Sequence, residues 1–273
     1  PLLLVTPQAA NKTIGQGGFQ EVEQMKLFED MVCYQEEVRD PSRVVEVLTR
    51  VISQAKRLSG PAQLNIPRDM WTQIVDIEIT DPIEFEPSSG GTNSVAEAAA
   101  ILSSAKNPVI LNGAGVVLSK GGIEASKDLA ERLSAPVCVG YQHNDAFPGN
   151  HPLFAGPLGY NGSKAGMQLI KDADVVLCLG TRLNPFSTLP GYGMEYWPAD
   201  AKIIQVDINP DRIGLTKKVT VGIVGDAAKV AQGIISQLAD DAGDAGRKDR
   251  EAHIAKTKSA WAQELTSMTD END

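Results

Sequence analysis

The sequence predicts an α/β fold: a doubly wound parallel-sheet domain preceded by a smaller α/β layer. Three observations lead there. Continuous apolar runs such as Pro108-Val109-Ile110-Leu111 and Val175-Val176-Leu177-Cys178-Leu179 read as strands buried on both faces, as in a parallel sheet covered by helices. Segments with apolar residues at helical spacing lie between such runs. Glycine or polar residues close most of the runs, where the chain must turn. The 273 residues suit one large domain or two small ones, and 42% hydrophobic with 22% charged residues is ordinary globular composition.

The elements follow in order. Leu2 to Thr6 reads as a buried strand leading into a polar, Gly-rich stretch from Gln8 to Gly18. A helix is expected from about Phe19-Gln20-Glu21, carrying Val22, Met25, Leu27 and Phe28, and then a short strand at Val32-Cys33-Tyr34. Asp40-Pro41-Ser42 starts a helix, with Asp40 as N-cap and Pro41 at the first helical position. Val44, Val45, Val47, Leu48, Val51, Ile52 and Ala55 continue it at helical spacing. Ser59-Gly60-Pro61 stops it, and Ala62 to Pro67 is another strand. Asp81-Pro82, Glu86-Pro87 and Ser88-Ser89-Gly90-Gly91 then make a linker, and a domain boundary is placed at 81–91.

The second domain, 92–240, opens with a helix of alanines from Ser94 to Ser104. Strands are expected at Pro108–Asn112, Pro136–Val139, Asp174–Gly180, Lys202–Asp207 and Val219–Val224, with helices at Ile123–Leu133, Ala165–Lys171 and Asp226–Leu238. His151 to Lys164 reads as a long Gly-rich, aromatic binding loop. Residues 241–273 read as a charged, helical connector. The chain opens on Pro1 already inside a strand and stops just past a helix at Lys256–Met268, so a piece of a longer chain is expected.

The formal net charge of -10 disfavours nucleic acid, since Lys217-Lys218 and Arg247-Lys248 are isolated basic pairs. Cys33, Cys138 and Cys178 lack CxxC spacing and are expected to be buried free thiols in a reducing cytoplasm, with no metal site. No apolar run approaches the ~18 residues of a membrane span, and no basic-then-apolar signal segment occurs.

In open parallel sheets ligands gather at the carboxyl ends of the strands. Gly113-Ala114-Gly115 follows one strand, but Leu118 takes the third position of GxGxxG, so a structural turn and a ligand contact stay equally open. Arg182, in Gly180-Thr181-Arg182-Leu183-Asn184, could grip a phosphate, stack on a base or form a salt bridge. Asp207 could accept from ribose hydroxyls or cap a turn, and Asp226 could be an N-cap. His143 and His151 read as surface or structural groups and His253 as solvated. At Gly17-Gly18-Phe19-Gln20-Glu21, Glu21 could cap a helix and Gln20 could hydrogen-bond a small ligand. No Ser-His-Asp order, metal cluster or P-loop lysine is seen.

Thr6-Pro7-Gln8, Ile14-Gly15-Gln16-Gly17-Gly18-Phe19-Gln20-Glu21 and the PAQLNIPRD stretch from Pro61 resemble the late half of the pyrimidine-binding domain of thiamine diphosphate enzymes of the acetolactate synthase type. The stretches HPLFAGPLGYNGSKA, DADVVLCLGTRLN and IIQVDINPDRIG are similar to that family's central domain. The resemblance implies a DHS-like, nucleotide-binding type of central domain preceded by the C-terminal half of a second α/β domain. It places 1–80 in the pyrimidine-binding domain, 92–240 in the central domain, and makes 241–273 a connector to a diphosphate-binding domain.

The stretch from Leu2 to Val38 is most similar to the acyl-transferring branch that acts on sulfoacetaldehyde in taurine breakdown. That branch converts sulfoacetaldehyde and phosphate to acetyl phosphate and sulfite, using thiamine diphosphate and Mg²⁺: the cofactor's ylid attacks the aldehyde, sulfite leaves, and phosphate takes up the acetyl group. The resemblance implies that Phe19 and Gln20 face cofactor and substrate as catalytic-pocket residues. It makes Gly113, Gly115, Gly159, Arg182, Asp207 and Asp226 positions where relatives hold FAD, ADP or CoA, a site that here could be vestigial. Asn161 and Asn184-Pro185 depart from the acetolactate synthase pattern. The family's catalytic glutamate and its GDG…N motif for Mg²⁺ and diphosphate are expected upstream of Pro1 and downstream of Asp273, so the chain alone is expected to be inactive. Lys12 and Asn11 are candidates for the sulfonate. A homodimer or homotetramer is implied, because the family's active sites lie between subunits. Another carboligase or decarboxylase, or a non-catalytic nucleotide-binding module, remains the alternative.

Overall fold

A computed structural model describes residues 1–80 and 84–270, so Asp81-Pro82 of the expected linker and Glu271-Asn272-Asp273 lie outside the described residues. The chain divides into two compact units, Pro1–Glu86 and Pro87–Asp273, each with its own buried cluster.

The first unit runs β1 (Leu2–Gln8), α1 (Gln24–Phe28), β2 (Tyr34–Glu37), α2 (Val44–Leu58) and β3 (Pro61–Pro67). Its sheet has the order β1-β3-β2, all parallel. Asp40 accepts from the Ser42 N–H at 2.9 Å, and a single 3-10 turn at Pro41–Arg43 leads into α2. Left-handed Ser59 ends α2 as the Gly60 N–H bonds back to the Ala55 carbonyl at 3.1 Å. Val47, Val51 and Ala55 of α2 share one core with Ala62, Leu64 and Ile66 of β3. A polar chain crosses the sheet: Gln63 Nε2 donates to Thr6 Oγ1 at 3.0 Å, Thr6 to Asn65 Oδ1 at 2.8 Å, and Asn65 Nδ2 to Glu37 Oε2 at 2.7 Å.

Three expectations are corrected here. β1 is not a buried strand. It is the sheet edge, with Leu2 58%, Leu3 39% and Val5 44% exposed and Thr6 its one buried residue. The helix expected from Phe19 starts only at Gln24, because Gln20 takes a left-handed φ of 61° that no helix accepts. Cys33 is exposed, standing just before β2, with its Sγ 3.0 Å from the Pro61 carbonyl oxygen.

The second unit runs α3 (Thr92–Ser103), β4 (Pro108–Asn112), α4 (Ala114–Leu118), α5 (Gly122–Leu133), β5 (Val137–Val139), β6 (Phe154–Pro157), α6 (Lys164–Lys171), β7 (Val175–Leu179), β8 (Lys202–Asp207), β9 (Val221–Val224), α7 (Ala227–Ile235) and α8 (Arg247–Asp270). The order β6-β5-β4-β7-β8-β9, parallel throughout, is the doubly wound sheet expected, with its reversal between β4 and β7. β4, β5 and β7 are buried along their whole length, as their apolar runs require. Asn112, the polar end of β4, donates to Ser126 Oγ at 2.8 Å and to the Ala146 carbonyl at 3.0 Å. Cys138 and Cys178 are buried, and burial pushes the Cys138 thiol up to about 12.

β6 and α4 are additions to the expected elements. Phe154-Ala155-Gly156-Pro157 carries no strand signature of its own, and α4 is one short turn. Residues 241–250, expected as part of a charged, helical connector, also pack into the second unit. Arg250 is 5% exposed and donates to the carbonyls of Lys106, Leu133, Ser134, Gly243 and Ala245, at 2.5 to 3.1 Å. His253 on α8 is half-exposed and lies 3.2 Å from an Asp172 carboxylate oxygen.

Candidate functional site

In the first unit the candidate residues sit on the loop between β1 and α1. Residues 11–20 are all exposed, and Phe19 is 93% exposed, so its ring meets no core. Glu21 caps no helix. Its carboxylate accepts the Gly15 N–H at 2.6 Å and the Gly18 N–H at 3.1 Å, and these amides, Gly15 first, hold it below the usual carboxylate range. Asn11 is fixed through its backbone N–H to Asp69 Oδ1 at 3.1 Å, and the neighbouring Lys12 is exposed.

In the second unit the candidates line the carboxyl edge of the sheet. The Gly113-Ala114-Gly115 turn after β4 and the Gly180-Thr181 turn after β7 press against each other. The Gly115 N–H bonds to the Gly180 carbonyl at 2.9 Å. A side chain at Gly113 would come within 2.6 Å of that oxygen, and one at Gly115 within 2.5 Å of the Gly180 Cα. Close backbone crossing therefore explains both glycines. Gly159, at φ 86°, meets the 186–187 backbone in the same way. Asp207 is buried at the end of β8 and accepts the Asn209 N–H at 2.9 Å, a turn cap. Asp226 caps α7 through the Lys229 N–H at 3.1 Å and accepts from Ser119 Oγ at 2.7 Å. Arg182 is exposed on the loop after β7 and makes no ion pair among the described residues.

The sheet thus gathers Gly113, Gly115, Gly159, Arg182 and Asp207 along one edge, whereas Asp226 is turned into the joint between α7 and the 119 turn. Phe19 and Gln20 belong to the other unit. Sequence reasoning missed an aromatic group on this edge. Tyr160 stacks on Phe186 at 5.8 Å, and Tyr141 meets Phe186 edge-on at 5.0 Å. The rings come from loops after β6, β7 and β5, so only the strand order brings them together. His143 is 4.0 Å from Asp145, and His151 Nε2 is 3.1 Å from Glu131 while its Nδ1 accepts the Leu153 N–H at 3.2 Å, structural roles in both cases.

Residues 95–234 match the family model described as thiamine pyrophosphate enzyme, central domain. All 273 residues align with the sulfoacetaldehyde acetyltransferase of Roseovarius nubinhibens at 72% identity, over 45% of that protein. They also align with a probable sulfoacetaldehyde acetyltransferase of Rhizobium meliloti at 68%, over 46% of it. A probable acetolactate synthase large subunit of Methanocaldococcus jannaschii is 30% identical over 87% of this chain and 41% of its own length. The crystal structure of benzoylformate decarboxylase from Polynucleobacter necessarius shares the fold, with a TM-score of 0.74 at 22% identity over 87% of this chain and 44% of that one. The chain thus spans less than half the length of these relatives. With the doubly wound sheet and the matched stretch coinciding, the chain belongs to the thiamine pyrophosphate enzyme family and carries its central domain.

Proposed function

We propose that the chain is part of a thiamine diphosphate-dependent acyltransferase that converts sulfoacetaldehyde and phosphate to acetyl phosphate and sulfite. The observation that carries this reading is the unbroken match of all 273 residues to sulfoacetaldehyde acetyltransferases. In this reading 1–80 is the late part of the pyrimidine-binding domain, 92–240 the central domain and 241–273 the connector. The whole enzyme works in the cytoplasm as a homodimer or homotetramer.

The described residues do not fit the metal and diphosphate half of the cofactor. Among them, no three His, Cys, Asp or Glu side chains converge to hold a metal ion. The loop amides of Gly15 and Gly18, which could meet a phosphate, are taken by Glu21. What the chain contributes is a wall. Phe19 presents a bare ring that excludes water from whatever surface closes over it, and Gln20 an amide that both donates and accepts. Asn11 and Lys12 lie on the same loop and suit a sulfonate by charge and hydrogen bonding.

The test is the full-length protein supplied with sulfoacetaldehyde and phosphate. Sulfite release with acetyl phosphate formation supports the reading; pyruvate consumption without sulfite moves it to a carboligase. A second reading, a nucleotide held on the carboxyl edge of the central sheet, is favoured by exposed Arg182 and the exposed rings of Tyr160 and Phe186. Thermal-shift titration with FAD, ADP and CoA checks it, and a shift with one of the three supports it.

A further inference from the structure

We propose that Glu21 is a positioning residue, whose carboxylate fixes the loop tip that presents Phe19 and Gln20. The proposal rests on the reading of Phe19 and Gln20 as pocket residues.

Burial does not shape this tip. Residues 11–20 are exposed, and the space where side chains would stand at Gly15 and Gly17 is open, with nothing within 4 Å. Yet the backbone is far from a default path. Gly15, Gly17 and Gln20 have φ of 86°, 70° and 61°, three left-handed residues within six. Glycine adopts such angles freely but is held in them by nothing intrinsic, and glutamine pays a steric cost at Gln20.

The base of the loop is tied down elsewhere. The Asn11 N–H bonds to Asp69 Oδ1 at 3.1 Å, Gln8 Nε2 to the Val22 carbonyl at 3.2 Å, and Gln24 Nε2 to the Pro7 carbonyl. Gln16 Nε2 reaches only back to the Lys12 carbonyl, at 3.2 Å, on the rising side of the loop. The tip itself is spanned by Glu21: its N–H closes a turn over Phe19 and Gln20 on the Gly18 carbonyl at 3.2 Å, and its carboxylate anchors that turn, one oxygen taking the Gly15 N–H and the other the Gly18 N–H. A carboxylate is suited to this, because it is acceptor-only and has two oxygens for two amides. With both bonds made, the chain from 15 to 21 closes into a ring, and Phe19 and Gln20 stand on its outer rim. The low titration of the Glu21 carboxyl keeps the clasp ionised at working pH.

The test compares wild type with Glu21→Gln, Phe19→Ala and the double variant in the full-length enzyme. An amide in place of the carboxylate turns one acceptor into an N–H donor facing an N–H, so the clasp opens. Hydrogen exchange of the peptide covering 11–22 should then speed up about tenfold in Glu21→Gln. The rate constant kcat/KM for acetyl phosphate formation should fall about tenfold with an unchanged Tm, and the double variant should lose less than the product of the two single losses, the remainder being the misplaced Gln20. Unchanged exchange in Glu21→Gln overturns the proposal. So does a double variant whose losses multiply, since Glu21 would then act apart from Phe19. Faster exchange with unchanged kcat/KM, while Phe19→Ala loses activity, overturns the positioning role and leaves the pocket reading intact. If Phe19→Ala itself keeps full activity, the pocket reading fails and the positioning role with it, while the exchange result still reports the clasp.

Discussion

The two units solve the same architectural problem with different materials. Pro87–Asp273 draws its core from every strand of a six-stranded sheet, with Gln205 the buried polar side chain inside β8. Pro1–Glu86 has three strands and a core of Val38, Val47, Val51, Ala55, Ala62, Leu64, Ile66 and Met70. It leans on polar ties, namely the Gln63–Thr6–Asn65–Glu37 chain and the surface network in which Arg50 meets Glu36 at 2.7 Å and Glu46 at 3.0 Å. It also leaves Leu2, Leu3, Val5 and Phe19 to the solvent. The contrast extends to chemistry. In the larger unit the glycine turns after β4 and β7 cross at close range, while the smaller one carries an open loop. A thick core frees strand ends to pack; a thin one leaves side chains free to meet another surface.

The sharpest way to break this contrast is truncation of one leucine in each unit. Leu177→Ala, fully buried in β7, is expected to cost about 3–5 kcal/mol in a denaturant titration. Leu3→Ala on the exposed edge of β1 is expected to cost less than about 1 kcal/mol. Equal costs would remove the distinction. Next in size is Arg250→Met, which strands five carbonyls beneath the start of α8. A loss of about 3 kcal/mol is expected, with faster exchange confined to 243–256. An unchanged exchange pattern there would show that α8 docks without it.

The smallest effect is electrostatic and belongs to the first unit. Arg43, then Arg50, hold the Glu46 carboxyl down to about 2. A lowered carboxylate stabilises the fold above its ordinary value near 4.3, and that contribution fades as pH falls toward 2. Acid titration followed by Trp71, with Trp197 and Trp261 replaced by Phe, should therefore show a gradual loss between about pH 4.5 and 2. Arg43→Ala should shift it by little, because the pair is exposed.

These differences mark what the sequence could disclose. α2 was legible because Asp40-Pro41 and the valine spacing act locally. β4 and β7 were legible because burial on both faces writes itself as an apolar run. β1 looked identical by that criterion and is exposed, because a run records hydrophobicity and not the presence of a cover. The Gly113–Gly180 crossing and the Tyr141–Tyr160–Phe186 group join residues far apart in the chain, so only strand order reveals them. The helix expected from about Phe19 fails because Gln20 is left-handed and the Glu21 carboxylate turns back on Gly15 and Gly18, neither of which shows in the apolar spacing of Val22, Met25, Leu27 and Phe28. Arg250 looked like one more charge on a charged helix, since no local pattern distinguishes a buried guanidinium from a solvated one.

In the proposed function this chain lends a wall to a cofactor seated elsewhere in the enzyme. Isothermal titration of thiamine diphosphate with Mg²⁺ into the 273-residue chain, beside the full-length protein, tests it most directly. Saturable heat from the full-length protein and none from the chain is the expected result. Micromolar binding to the chain by itself would contradict it.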